Sequence, residues 1–303
     1  MSIRKIIISI IVPFYYGNKY MKRLLSSIKK CVEKNKDLAN FELLIINDSP
    51  EETVCIPDGF ADMNIRVICN ECNMGIQKTR VNGLKNANGE WIIFLDQDDE
   101  LVCDGFRCQI SMTKENDVVV GNGIYQFGSE NRNIFFTSKE MQYLLQLSRF
   151  IKIRNLIPSP GECLIRKNVI PDEWVKSPLR KNGADDWLLW ILLFKRGARV
   201  GKNQELVYIH HDTDGNNLST DLEKMKESAF EMWDLLVESN ILTRKEEKDL
   251  GYAIAFKYLQ DTGNLNIKDI WKYRRTIVAN IVHKVNVILL RKTSKCQKGY
   301  RNE

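Results

Sequence analysis

The stretch Trp91–Leu101, WIIFLDQDDEL, decides how the chain is read. Five apolar residues in a row, Trp91 to Leu95, are long enough for a strand covered on both faces and too short for a helix. Four carboxylates then follow within five positions, at Asp96, Asp98, Asp99 and Glu100. Asp is common in the turns that end strands, so a solvated turn is one reading. Four acids at one strand end also repel each other unless a cation lies among them. Hard divalent cations take oxygen ligands, often one or two carboxylates plus substrate phosphates. In extended chain the D-x-D spacing turns residues i and i+2 to the same side.

Working outward, two more apolar strands precede this one and a third is short. Ile6–Pro13 is apolar apart from Ser9, FELLIIND (41–48) ends in an acid like the strand at 91, and IRVICN (65–70) is the short one. Between the first two, Met21, Leu24, Leu25, Ile28 and Val32 recur at helical spacing. A second helix is expected between Gly75 and Asn88-Gly89. Alternating strands and helices predict βαβ units, hence an α/β fold on a mainly parallel sheet. Ligands of such sheets bind beyond the carboxyl ends of the strands, where Asp48 and the 96–100 acids fall. Beyond residue 116 the pattern loosens: a strand or hairpin at 117–128, a helix at 138–148, a short strand at 161–167 and a strand at 205–212. DDWLLWILLFKRG (185–197) is apolar nearly all round, which predicts a buried helix with Asp185 and Asp186 at its mouth. From Asp221 onward helices are expected. Acids in a first helical turn serve the dipole, and one at the mouth of a buried helix can also face a cleft as a general base.

Composition narrows the class. At 44% hydrophobic and 28% charged, the 303 residues suit a folded globular chain, so disorder is not expected. The +6 net charge is uneven: residues 268–303 hold ten Lys/Arg against two acids, which leaves residues 1–267 at −2. IWKYRRTIVANIVHKVNVILLRK (270–292) carries apolar residues at helical spacing edged by cations. That pattern suits either a helix packed on the domain or one resting on an anionic membrane surface; nucleic acid is not expected as a partner. The opening MSIRKIIISIIVPFYYG imitates a signal peptide, but aromatics stand where small residues would be cleaved. No apolar run approaches a membrane span. Eight cysteines without a framework, mostly in apolar stretches, are expected to be buried reduced thiols of a cytoplasmic protein, and CNEC (69–72) lacks a second pair for zinc.

The order of these motifs resembles the family 2 glycosyltransferases, inverting bacterial enzymes of the GT-A fold that use nucleotide sugars. The resemblance is carried by ISIIVPFYYGNKYMKRLLSSI (8–28), FELLIINDSPEET (41–53), NMGIQKTRVNGLKNANGEWIIFLDQDDEL (73–101), GADDWLLWILLFKRG (183–197) and YIHHDTDGNNLS (208–219). It implies a nucleotide-sugar and catalytic domain over 1–219 and a helical extension over 220–303. Nucleotide-sugar contacts are implied at Pro13, Tyr15, Asp48, Asn73, Gly75, Arg80, Asp96 and Asp98, with Asp48 toward a uracil-type base. Mn²⁺ or Mg²⁺ is implied at Asp98, Asp99 and His211, and Asp186 is implied as the base, with Asp185 beside it. The donor is then a UDP-type sugar nucleotide and the acceptor a saccharide or lipid-linked saccharide of a surface polysaccharide, made at the inner face of the plasma membrane. The chain departs from the family at Tyr16, where Asn is usual, at Asn47, where a second Asp is usual, at Val81, where Asn is usual, and in the longer HHDTDG loop. Two rivals remain open: a phosphatase of the haloacid dehalogenase type, since FLDQDDEL also fits its strand, and a non-catalytic subunit of the same fold.

Overall fold

A computed structural model describes residues 5–128, 130–212 and 220–292. The loop at 213–219 and the tail at 293–303, both part of the expectations above, lie outside the described residues. The chain divides into two compact units that interleave along the sequence. The first gathers residues through Ile134, Ser159–Lys176 and the strand after Ala198; the second gathers Phe135–Pro158, Ser177–Gly197 and the C-terminal helices.

The first unit is built on a mixed sheet. In chain order its elements are β1 (Ile6–Phe14), α1 (Met21–Asn35), β2 (Ala39–Asn47), β3 (Ile65–Cys69), α2 (Ile76–Asn86), β4 (Trp91–Phe94), β5 (Glu100–Leu101), α3 (Phe106–Ser111), β6 (Val118–Phe127) and β7 (Glu130–Asn133). The second unit then contributes α4 (Ser138–Leu144) and α5 (Leu147–Lys152), before the first resumes with β8 (Cys163–Arg166) and α6 (Asp172–Lys176). Helix α7 (Asp185–Lys195) belongs to the second unit and β9 (Val200–His211) to the first, and α8 (Leu222–Glu238), α9 (Arg244–Asp261), α10 (Ile267–Lys272) and α11 (Arg274–Lys292) complete the second.

The strand order is β3-β2-β1-β4-β8-β6-β9-β5, with β7 hairpinned onto β6. The first four strands are parallel, as the βαβ pattern requires. Beyond β4 the sheet turns mixed: β8 is antiparallel to both β4 and β6, and β5 is antiparallel to β9. β1 lies between β2 and β4, and Ile8, Ile10, Ile11, Val12 and Phe14 are at most 1% exposed, which accounts for a run that is apolar except at Ser9. On α1, Met21, Leu24, Leu25, Ile28 and Cys31 form the buried face.

One buried acid sets the register of the strand that carries the carboxylates. Glu42 of β2 accepts hydrogen bonds from Ser9 Oγ, from the backbone and side chain of Asn88, and from Gly89 N–H. Burial alone would push its carboxyl up, but these donors hold it below the usual range. Gly89 leaves no room for a side chain, since a Cβ there would lie 2.6 Å from Ser9 N. The turn between α2 and β4 is therefore fastened to β1 and β2 together, and β4 enters alongside β1 with Trp91 opposite Ile8.

The thiols depart from expectation. All seven described cysteines are free, but only Cys31 and Cys163 are buried, and Cys55, Cys69, Cys72 and Cys108 are exposed. Short apolar runs at strand ends and loop edges bury their neighbours without burying every member.

Candidate active site

Three parallel strands deliver polar residues to one edge of the sheet: β1 ends at Phe14 before Tyr15, β2 at Asn47 before Asp48, and β4 at Phe94 before Asp96. After β1, Tyr16 takes a left-handed backbone with φ +47. Asn tolerates that region better than Tyr. Here the Tyr16 N–H donates to Ser49 Oγ, and its hydroxyl donates to Glu51.

Asp48 is 4% exposed. Its Oδ1 accepts from Asn70 Nδ2 and from Met74 N–H, both at 2.7 Å, and its Oδ2 accepts from Gly75 N–H at 2.9 Å. It clamps the loop that opens α2, and Gly75, at φ +84, is the residue that loop geometry demands. Asn73 joins the same loop through its Oδ1, which accepts from Gly75 N–H. Asn70 extends the network, donating to Thr79 Oγ1 and accepting from Asn82.

The four carboxylates after β4 separate by partner. Asp96 pairs with Arg80, buried on α2, at 2.6 Å, and accepts from Ser159 Oγ at 3.4 Å. Asp99 is fully buried. It accepts from the Tyr208 hydroxyl and from His211 N–H at 3.0 Å, and lies 3.2 Å from His210 Nδ1. Glu100 belongs to β5 and meets His211 Nε2 at 2.7 Å and Arg23 Nε at 3.6 Å. Asp98 alone makes no ion pair among the described residues. Burial, followed by the charges of Asp99 and Asp96, pushes its carboxyl up to about 7. Its backbone carbonyl accepts from Arg23. Burial works to lower His210, but the hydrogen bond and charge of Asp99 outweigh it and raise the imidazole above its ordinary value.

Gln97, between the acids, went unnoticed in the sequence. Its Nε2 donates to Tyr15 O and its Oε1 accepts from Tyr15 N–H, both at 2.9 Å, so the acidic loop is stitched to the end of β1. Gly17 makes room for it: a Cβ there would lie 2.6 Å from Gln97 Cδ. Tyr208, Asn70 and Arg23 were equally unmarked, and only Asn70, a polar residue closing an apolar strand, carried a local signal. Of the expected cation ligands, Asp99 and His211 are engaged with the chain's own groups. Among the described residues no three His, Cys, Asp or Glu converge as a ready-made cation cage.

Asp185 and Asp186 lie in the second unit, in the first turn of α7, whose Trp187 to Leu193 are all buried. Asp186 Oδ2 accepts from Asn155 Nδ2 at 2.8 Å. The loop leading into this turn is held by α8, where Ser228 Oγ accepts from Ala184 N–H and donates to Lys181 O. Glu231 of the same helix accepts from the N–H groups of Arg180 and Lys181. The helices after residue 220 thus fasten the approach to Asp186, a dependence that no local pattern announced.

Residues 9–174 match the family model described as glycosyl transferase family 2, a little more than half of the chain. An uncharacterized glycosyltransferase of Haemophilus influenzae is 23% identical over 288 residues, covering 93% of this chain and 95% of the relative. The Escherichia coli UDP-Glc:alpha-D-GlcNAc-diphosphoundecaprenol beta-1,3-glucosyltransferase WfgD is 32% identical over 126 residues, 41% of this chain and just under half (48%) of its own length. Among solved structures, Staphylococcus aureus TarS 1–349 in complex with UDP-GlcNAc superposes with a TM-score of 0.62 at 18% identity, covering 93% of this chain and 83% of that one.

Proposed function

This chain belongs to glycosyl transferase family 2 and is a glycosyltransferase of the GT-A fold, and we propose that it transfers a sugar from a UDP-sugar to a hydroxyl of a saccharide or lipid-linked saccharide, with inversion. Membership removes the phosphatase reading of FLDQDDEL, and every carboxylate that a non-catalytic subunit would be free to lose is retained. The observation that carries the proposal is the sorting of the acids. Arg80, Tyr208 and His211 engage Asp96, Asp99 and Glu100, and Asp98 makes no ion pair among the described residues. A hard divalent cation needs only one or two carboxylates when substrate phosphates complete its shell, so the donor set fits Mn²⁺ or Mg²⁺ with Asp98 as the protein ligand. In this reading Asp99 and His211 act on the loop instead, tying it to β9. Bound there, the cation would supply charge neutralisation at the departing diphosphate.

The chain's own residues do the rest. Asp48 has filled three of its roughly four acceptor positions, and the remaining one suits a base N–H. It also holds the Asn73–Gly75 loop in place. Arg80 fixes Asp96, and Pro13 and Tyr15 end β1 beside the stitched loop. Asp186, steadied by Asn155, takes the proton from the acceptor hydroxyl. That oxygen forms a bond to the anomeric carbon as the bond to the diphosphate breaks, and the electron pair leaves with the nucleotide. UDP is favoured because the TarS neighbour binds UDP-GlcNAc and the E. coli relative is named for UDP-Glc. The diphosphoundecaprenol in that second name supports a lipid-linked acceptor and a place in surface polysaccharide synthesis. Free thiols at all seven described cysteines suit the cytoplasm. The catalytic module is assigned to residues 1–219, with α8 supporting its base.

General-base assistance is worth about 10²–10⁴ in rate. Asp186→Asn is therefore expected to keep calorimetric binding of the UDP-sugar with Mn²⁺ while transfer to the acceptor collapses by that factor. Transfer at the wild-type rate would remove Asp186 from the role.

A further inference from the structure

Helix α11 is packed the wrong way round for a soluble protein. Tyr273, just before it, and Thr276 and His283 within it are buried, with Asn280 and Asn286 half-buried beside them. This face, which also half-buries Ile277, Val287 and Leu290, meets α4 and α9. The His283 ring stacks on Tyr143 with centroids 5.7 Å apart, Asn286 Nδ2 donates to the Tyr143 hydroxyl at 3.3 Å, and Arg291 pairs with the fully buried Glu140 at 2.6 Å. Tyr273 packs edge-on against Tyr252 of α9. The opposite face carries Val278, Ile281, Val282, Val285, Ile288 and Leu289, each between 48% and 57% exposed. On α10, Ile267 and Trp271 are 77% and 71% exposed and continue the stripe. Contiguous apolar surface of this extent marks an interaction site.

We propose that this outward face of α10 and α11 is a membrane-docking surface that lies in the interface of an anionic bilayer. The charge pattern chooses the occupant. Lys268, Lys272, Arg274, Arg275, Lys284 and Lys292 are all exposed along the stripe, and Asp269 is the one acid between 268 and 292. Asp269 is itself committed to the capping box with Asn266. A second copy of the same face would therefore set cation against cation with no acid free to answer. An anionic lipid surface offers negative headgroups to the cations and acyl chains to the apolar stripe, and an exposed Trp suits the boundary between them. Among the described residues no helix is long and apolar enough to cross a membrane. The inference rests on packing and charge alone and stands apart from the reaction assigned above.

The test is flotation of the full chain with vesicles of phosphatidylcholine, with and without phosphatidylglycerol. Flotation is expected only with the anionic vesicles and should weaken as salt is raised. Replacing Ile281, Val285 and Ile288 together by Gln should abolish it while leaving the thermal midpoint nearly in place, because about half of each of these side chains already faces outward. Replacing Arg274, Arg275 and Lys284 by Gln should weaken partitioning about fivefold per cation, roughly a hundredfold together. Equal flotation on both vesicle types, no flotation on either, or a triple Gln variant that floats like wild type would overturn the proposal. A dimer in sedimentation that the same variant disperses, without flotation, would assign the face to a second copy instead.

Discussion

Gly17 and Gln97 form a coupled pair whose energetics can be worked out from their geometry. The Gly17 backbone sits at φ −102, ψ 7, which any residue can adopt, so Gly17→Ala strains nothing in the main chain. The three atoms nearest a Cβ there all belong to the Gln97 amide, which must swing away and give up both hydrogen bonds to Tyr15. At this partly exposed position each bond is worth about 0.5–1 kcal/mol net, or about 1–2 kcal/mol for the pair. Against that, Ala narrows the unfolded ensemble and returns about 0.4–1 kcal/mol. Gly17→Ala alone should therefore destabilise by up to about 1.5 kcal/mol. In a Gln97→Ala background, where nothing is left to displace, the same change should be neutral or stabilising. The double-mutant cycle, read from urea unfolding of the four proteins, should show a coupling of about 1–2 kcal/mol. Donor binding should fall to the same degree in both single variants and the double, because each releases the loop that carries Asp98. If Gly17→Ala costs the same with and without Gln97, the stitching between β1 and the acidic loop is not what the glycine serves.

Three further outcomes are expected. Asp98→Asn should remove the Mn²⁺ dependence of UDP-sugar binding by calorimetry, while Glu100→Gln, which alters an acid already paired with His211, should retain most of it; equal losses would deny Asp98 its special place. Glu162 is fully buried, neither carboxylate oxygen has a hydrogen-bond partner among the described residues, and burial raises it well above the usual carboxyl value. The folded chain then holds one proton more than the unfolded chain between the ordinary carboxyl value and the raised one, so stability should fall by about 1.4 kcal/mol per pH unit as pH rises through that window. Glu162→Gln should flatten this slope in urea titrations at several pH values, and parallel slopes for the two proteins would refute it. Tyr208→Phe removes one of the donors to the buried Asp99 and should cost about 1.5–3 kcal/mol in unfolding free energy, against a near-zero effect if Asp99 were solvated.

Much of the first unit was legible from local pattern. The strands β1, β2 and β4 and the helices α1 and α2 stood out because burial on both faces leaves a nearly continuous apolar run and a one-sided helix leaves a 3.6-residue period; β3, a mostly exposed edge strand, offered only a short apolar segment. Asp48 and the acids at 96–100 stood out because polar residues ending apolar strands point to one edge of a parallel sheet. Glu100 was misread as part of the same loop, since a two-residue strand such as β5 has no period to detect. β8 and β5 run antiparallel for reasons that only their neighbours supply.

Sequence by itself determined that this chain builds a layered α/β domain with clustered carboxylates at the strand ends and a basic amphipathic C-terminal helix. Each of these follows from interactions within a few residues, where side-chain period and turn preference act. Tertiary structure alone decided which acid is left for a cation, because Asp99 meets Tyr208 across 109 residues and Asp96 meets Arg80 from another element. It alone decided that α8 holds the approach to Asp186 and that α11 turns its polar face inward and its apolar face out. Partner identity is set by which distant groups converge, and convergence leaves no trace in the spacing of residues along the chain.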